Sequence, residues 1–552
     1  MKRIATLALI LLLPALPRAA GTAPDREAYL EDVHENLVRF GEVYRNLAFR
    51  YVDQINPEAA MNAAIRGLLD ELDPYSDYFI EAAAQELDDL SRGQYGGIGM
   101  EVGLRGSEKR ITVVSPFEGS PSWKAGLLPG DEIVRVDSVE VAGKTLSDVV
   151  KLIKGPQGSA VVLGIRRSGG REVKDYTLVR ELINIQDVKL AEMVDPATGT
   201  GYIRLVRFSG LAGDNLAKAL EELKAQGLQR LVLDLRGNPG GLLREAAGVA
   251  ELFLPKGTTI VVTRGRNDEL IKEIRAERDP LFEGELVVLV DGGSASASEI
   301  VAGCLQDHDR ALVVGQQSFG KGLVQSVLDL DEEAKMKLTT ARYFLPSGRL
   351  IQRIDYFEKN EVLDHVAETT LKDTLFQTEH GRQVIGGKGI SPDIEVKPER
   401  QAWLTLELWR ANLFANFVSD RAAAGTLAAD ARAAALLPDF RAYLDEQEFT
   451  FQPRGSVQLD ELGKILEEEQ VGEAGMAALE ALRSVLGNKL SQQFEVHSDE
   501  LERLLALELV DRREGSAARS RAALAQDPAY QKALELLGDR GGYQRALGLG
   551  GK

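Results

Sequence analysis

Ser296 and Lys321 are a hydroxyl at a predicted helix start and, further along, an amine between two glycines, residue types that could serve acyl-transfer chemistry. Ser296 is the middle serine of Asp-Gly-Gly-Ser-Ala-Ser-Ala-Ser-Glu-Ile (291–300), and Lys321 stands between two glycines in Phe-Gly-Lys-Gly-Leu-Val-Gln (319–325). The run Leu-Val-Val-Leu-Val (286–290) reads as a buried strand that a Gly pair breaks. An apolar stripe of Ile300, Val301, Cys304 and Leu305 then predicts a helix opening at the serines. A hydroxyl at such a strand–turn–helix junction is exposed at a helix N-terminus, where unbonded backbone N–H groups can hold an oxyanion. A plain structural role fits the same residues. Ser296-Ala-Ser-Glu299 is also a capping box, and a lysine between glycines suits a solvated loop.

A lysine acts as a base only when uncharged. With an ordinary pKa of ~10.4, about 0.04% is neutral at pH 7, so the amine must come down by roughly 3 units. Phe319, Gly320, Gly322, Leu323 and Val324 carry no charge, as desolvation requires. The 5 histidines are scattered and no HExxH occurs, so neither a metal nor another cofactor is expected. Asp307 lies about three helical turns beyond Ser296, roughly 16 Å along the axis. That is too far to complete a triad, so Asp307, like His308 at the helix end, reads as structural. Cys304 reads as helix packing.

A second strand, Leu231-Val-Leu-Asp-Leu235, runs into Arg236-Gly-Asn-Pro-Gly-Gly241 and then a helix from Leu243 to Leu252, which makes an anion cradle. It lacks the G-x-x-x-x-G-K-[ST] spacing of a phosphate loop. Around both sites, residues 183–394 alternate strand and helix, with a polar insertion or surface loop at 355–380. From Tyr95 the periodicity is that of strands, and Tyr95-Gly-Gly-Ile-Gly-Met-Glu-Val102 puts glycines where main chain must approach a ligand closely. Leu146, Val149, Val150 and Ile153 mark an amphipathic helix in that region.

Residues 27–92 are helical by pattern, with an apolar stripe of Leu30, Val33, Leu37, Val38, Phe40 and Val43 and a break at Asp73-Pro74-Tyr75-Ser76. Past Pro398 helices resume from Trp403 to about Leu537, broken at Pro438 and at Gln452–Gly455, and Gly541-Gly542 begins a loose tail. The net charge of −19 argues against nucleic acid or an anionic membrane surface as the main partner. Met-Lys-Arg, an apolar run to Leu16 and the small residues after it read as a cleavable signal peptide, too short for a span of roughly 20 residues. With a single cysteine there is no disulfide framework, which points to a periplasmic protein and, less well, to a secreted or anchored one.

The order Gly-Ser-Ala-Ser-Ala-Ser-Glu, Gln306-Asp307, Arg310 to Gly315 and Phe-Gly-Lys-Gly-x-Val-Gln resembles the carboxyl-terminal processing proteases, the tail-specific serine endopeptidases of family S41. The resemblance runs from about residue 30 to 397. It implies an α/β multidomain chain: a ClpP/crotonase-like protease core (183–400), an inserted PDZ domain (94–182), a helical N-terminal region (21–93) behind a signal peptide (1–20), and a C-terminal helical extension (401–552). It also assigns roles. Ser296 is the nucleophile, Lys321 the general base and Gln325 the residue orienting the lysine. Gly241 and Ala297 donate the oxyanion-hole N–H groups, and Gly97, Ile98, Gly99 and Met100 form the PDZ carboxylate loop. The implied partners are protein substrates with free C-termini, an adaptor and further copies of the chain. A PDZ-bearing scaffold with little chemistry is the alternative.

Overall fold

The computed structural model describes residues 24–105, 109–167, 172–356, 369–370, 373–451, 455–486 and 490–549. The expected signal peptide lies outside them. The N-terminal helix Pro24–Arg50 carries its apolar stripe uncovered, with Leu37 62% and Val38 55% exposed. The helix Pro57–Asp70 starts at Asn56, whose side chain accepts the Glu58 and Ala59 N–H groups.

From Asp73 onward the centre is a six-stranded sheet. Its strands Val188–Asp195, Thr200–Leu205, Arg230–Asp234, Glu285–Val290, Leu312–Gly315 and Ile394–Glu395 neighbour one another in chain order. Only the first pair is antiparallel. Parallel strands need crossover helices, and here Ala212–Ala225, Leu243–Ala250 and Ala297–Asp307 pack together against one face. A sheet covered on both faces takes continuous apolar strands, which is why Leu286 to Val290 are all buried. The second face is covered by Ala529, Tyr530, Ala533, Leu537 and Tyr543 from the end of the chain. Gly541 and Gly542 therefore belong to a short helix, Arg540–Ala546, and not to a loose tail. Asp539 caps that helix, and the buried Tyr543 hydroxyl meets the Leu286 N–H and C=O at 3.0 and 2.9 Å.

A second sheet pairs Ala334–Phe344 with Asp77–Ile80, Thr259–Arg264 and Leu323–Asp329. The strand signal before residue 182 becomes a separate sheet of Met100–Arg105, Arg110–Pro116, Glu132–Val136, Ala160–Arg166 and Val173–Val179, in that order. Two further expectations need correction. Part of the polar stretch after 355 is paired, as the hairpin Thr374–Gln377 with Gln383–Gly386. Pro438 does not end a helix: it lies inside Ala433–Glu446, where it removes one backbone bond, and buried Phe440, Tyr443 and Leu444 hold the helix in place.

Candidate active site

The strand Glu285–Val290 delivers the serine turn to the end of the sheet beside the loop that follows Arg230–Asp234. Asp291 Oδ1 accepts the Gly237 N–H at 2.8 Å, and Ser294 Oγ donates to the Leu235 carbonyl at 2.8 Å. Ser296 has φ 55° and ψ −112°, a conformation that costs a residue with a side chain ~1–3 kcal/mol. Its N–H is held by Glu299 Oε2 at 2.8 Å.

The Gly-rich loop is pinned by buried Asn238. Its Nδ2 donates to the Leu205 carbonyl at 2.9 Å, its Oδ1 accepts the Gly240 N–H at 2.9 Å, and its carbonyl accepts Ala295 N–H at 3.0 Å and Ser298 Oγ–H at 2.9 Å. The Gly240 carbonyl accepts the Phe208 N–H at 3.1 Å. In a planar trans peptide the Gly241 N–H then points the opposite way. Among the described residues neither the Gly241 nor the Ala297 N–H has a partner, so both can donate to a ligand oxygen. Neither glycine tolerates a side chain. A Cβ on Gly240 (φ 95°) would lie 2.6 Å from the Ala295 carbonyl and 2.9 Å from Ala297 N, and one on Gly241 would lie 2.1 Å from the Phe208 carbonyl.

Lys321 comes to the same place through Glu299. This fully buried carboxylate accepts the Ser318 hydroxyl (2.5 Å) and the Gly320 (2.7 Å), Lys321 (2.9 Å) and Ser296 (2.8 Å) N–H groups. The Tyr343 hydroxyl lies 2.5 Å from the Lys321 carbonyl and 3.2 Å from that of Ser296. Two backbone segments are thus tied through one carboxylate and one phenol. Burial, with Lys337 adding to it, brings the Lys321 amine down to about 8, against the pull of Asp73 and Glu299. Burial pushes Glu299 up to about 7, and its four donors oppose that.

The amine lies 4.4 Å from the centroid of the Tyr75 ring. Asp73 accepts the Tyr75 and Ser76 N–H groups and so fixes the turn carrying that ring. Gln325 sits on the strand that follows the lysine loop. Its amide donates to Thr339 Oγ1 at 3.3 Å, because 325 lies inside the strand Leu323–Asp329, past a register shift, and pairs across to Thr339. The Lys321 segment is also met by Glu299, Tyr343 and Tyr75. Glu299 was visible in sequence only as a cap, though a carboxylate can accept about four bonds. Tyr343 and Tyr75 carried no local signal. Asp307 is structural: it pairs with buried Arg349 at 2.8 Å and accepts the Ser347 N–H.

In the smaller sheet, Met100–Arg105 is an edge strand beside the helix Leu146–Ile153. Gly97, Ile98, Gly99 and Met100 line a cavity of about 50 Å³ with Val150, Ile153 and Lys154. The Ile98 carbonyl accepts the Ser122 N–H, and the Gly99 carbonyl accepts the Phe117 N–H and two serine hydroxyls. The following N–H groups are thereby turned the other way. Val149 belongs to the core, and Val150 faces the groove.

A family model described as Peptidase family S41 matches residues 199–362, and a PDZ domain model matches 112–167. The carboxy-terminal-processing protease of Bartonella bacilliformis is 40% identical over 329 residues, covering 59% of this chain and 74% of that protein. The chain belongs to the carboxy-terminal-processing protease family. Carboxy-terminal processing protease CtpB of Bacillus subtilis is 33% identical over 340 residues, 61% of this chain and 69% of the relative. The solved photosystem II D1 C-terminal processing protease is 28% identical, covers 65% of this chain and 87% of its own, and has a TM-score of 0.35. A model described as the C-terminal helical domain of a probable PDZ-protease matches 404–537, so the helices beyond the protease core are a recognised module. This member of the family is a serine-type peptidase with a PDZ domain, and the scaffold alternative gives way. No helix among the described residues is long and apolar enough to cross a membrane.

Proposed function

We propose that this processing protease cleaves with a Ser296–Lys321 dyad. Lys321 takes the Ser296 hydroxyl proton, the serine oxygen attacks the peptide carbonyl, and Gly241 and Ala297 N–H groups hold the resulting oxyanion. The acyl-enzyme then forms and is hydrolysed. The observation that carries this is Glu299, whose one carboxylate anchors both the Ser296 and Lys321 N–H groups while burial depresses the amine to about 8. At that value about 10% of the lysine is neutral at pH 7, against about 0.04% in water. Substrate tails add as a strand along Met100–Arg105, with the terminal carboxylate at the Gly97–Met100 loop. The test compares wild type with Ser296→Ala and Lys321→Ala on an unfolded protein with an apolar C-terminus. Both variants should lose at least about a thousandfold in turnover while still binding the tail. Unchanged cleavage in both removes the assignment.

A regulated form of this mechanism has its own support. Lys154, at the tail cavity, sits 3.3 Å from Asp89. Asp89 lies on the helix Ala82–Arg92, whose Leu90 carbonyl accepts the Gly210 N–H at 2.9 Å, next to the Phe208 that holds Gly240. A tail carboxylate competing for Lys154 would reach the oxyanion loop by this route. Asp89→Asn should then raise cleavage of a substrate lacking an apolar tail, and unchanged cleavage counts against the route. The leader-like residues 1–20 support export to a periplasm, which the N-terminal sequence of the mature protein in that fraction tests. The uncovered stripe on Pro24–Arg50 supports self-association. Leu37→Glu with Val38→Glu should lower the mass seen by light scattering. An adaptor protein is the remaining partner, sought in a pulldown with Ser296→Ala.

A further inference from the structure

The loop that carries the Gly241 N–H is anchored at its root by a side chain from the far end of the chain. Arg236 opens that loop, and its Nε and Nη2 donate to the two oxygens of Asp234 at 3.0 and 2.7 Å. Its Nη1 donates to Asp527 Oδ2 at 2.6 Å. Asp527 caps the helix Pro528–Gly538, its other oxygen accepting the Tyr530 N–H at 2.7 Å. Tyr530 in turn sets its ring edge-on to Tyr202, centroids 5.5 Å apart, and the Tyr202 hydroxyl donates to Asp234 Oδ2 at 2.8 Å. The guanidinium is therefore gripped on two sides, by a fully buried aspartate of the sheet and by the cap of a C-terminal helix.

The geometry points to Asp527 as a positioning residue for the oxyanion loop, making the C-terminal helical region a working part of the peptidase site. This rests on the reading of Gly241 as an oxyanion donor. A planar guanidinium held by both carboxylates cannot swing, whereas one held by Asp234 alone follows the flexible backbone of its own strand end. The loop beyond it contains Gly237, Gly240 and Gly241, all at positive φ; Asp291 and Asn238 hold its middle, and the Arg236 guanidinium sets the root from which it leaves the strand. A donor displaced by about 1 Å costs on the order of 100-fold in rate.

The discriminating variant is Asp527→Asn in the full chain. Asparagine still caps a helix, so the fold and the Tyr530 contact are kept while the charged bond to Arg236 is lost. Turnover should fall on the order of 10- to 100-fold with KM, tail-peptide affinity and unfolding midpoint unchanged, and Asp527→Asn combined with Arg236→Gln should be no slower than Arg236→Gln alone. Wild-type turnover in Asp527→Asn, or losses that multiply in the double variant, overturns the clamp while leaving the dyad intact. Equal turnover of wild type and Ser296→Ala overturns the site and the clamp together.

Discussion

Glu299 is a buried carboxylate beside a buried amine, and each titrates at a value that its solvated counterpart does not have. With Lys321 as the proposed base, needed uncharged, kcat/KM should rise with pH through an apparent pKa near 8 and level off above it. A profile that is flat from pH 6 to 9 removes the lysine from the proton transfer. Stability carries the same signature. Below about 8 the ammonium is charged folded and unfolded, and its burial costs stability. From about 8 to its ordinary 10.5 the folded chain has already released the proton, so stability recovers with rising pH. Lys321→Met should accordingly be the more stable protein at pH 7, by up to about 3 kcal/mol, with the advantage gone above pH 10.5. Glu299 runs the other way. Its folded value of about 7 lies above the ordinary 4.5, so its contribution is full below 4.5 and lost by about 7. Urea titrations across that window should show wild type losing stability relative to Glu299→Gln. The same variant should lose on the order of 100-fold in kcat, since an amide NH₂ then faces two of the N–H donors.

At the level of loops, the sequence marked the two turns that meet but not how they are held together. The strand–turn–helix entry to Ser296 and the Gly-rich turn to Gly241 are local signals and were readable. Gly240 was not distinguished from Gly241, because which of two glycines packs against the serine depends on a distant strand, Glu285–Val290. The cross-strand partner of Gln325 was hidden for a related reason. A side chain four residues along a strand follows its cross-strand neighbour, Thr339, and not the residue before the strand begins. Gly240→Ala tests the packing. Its methyl would press within 2.6 Å of the Ala295 carbonyl, so cleavage should collapse while tail-peptide binding, measured by fluorescence titration, stays at the wild-type level. Full activity in Gly240→Ala would mean the loop is not seated against the serine as described.

Across the whole molecule, the family resemblance faded at the residues that complete the central sheet. Residues 401–540 read as a helical extension that packs on the core or makes an oligomer contact, since nothing in an amphipathic pattern names the surface it will cover. Tyr202, Val232, Val287, Leu289, Leu312 and Val314 pack against Ala529, Tyr530, Ala533, Leu537 and Tyr543. Tyr543→Phe strips the hydroxyl from the Leu286 peptide groups and should cost about 1–3 kcal/mol by urea unfolding. Order along the chain gives this arrangement a temporal meaning. Residues 528–546 leave the ribosome after every strand of the central sheet, so a growing polypeptide presents that sheet half bare, with Arg236 lacking its Asp527 contact. Until that segment arrives the second apolar face of the sheet is bare, and the stretch of synthesis between residues 395 and 528 is the one most open to aggregation.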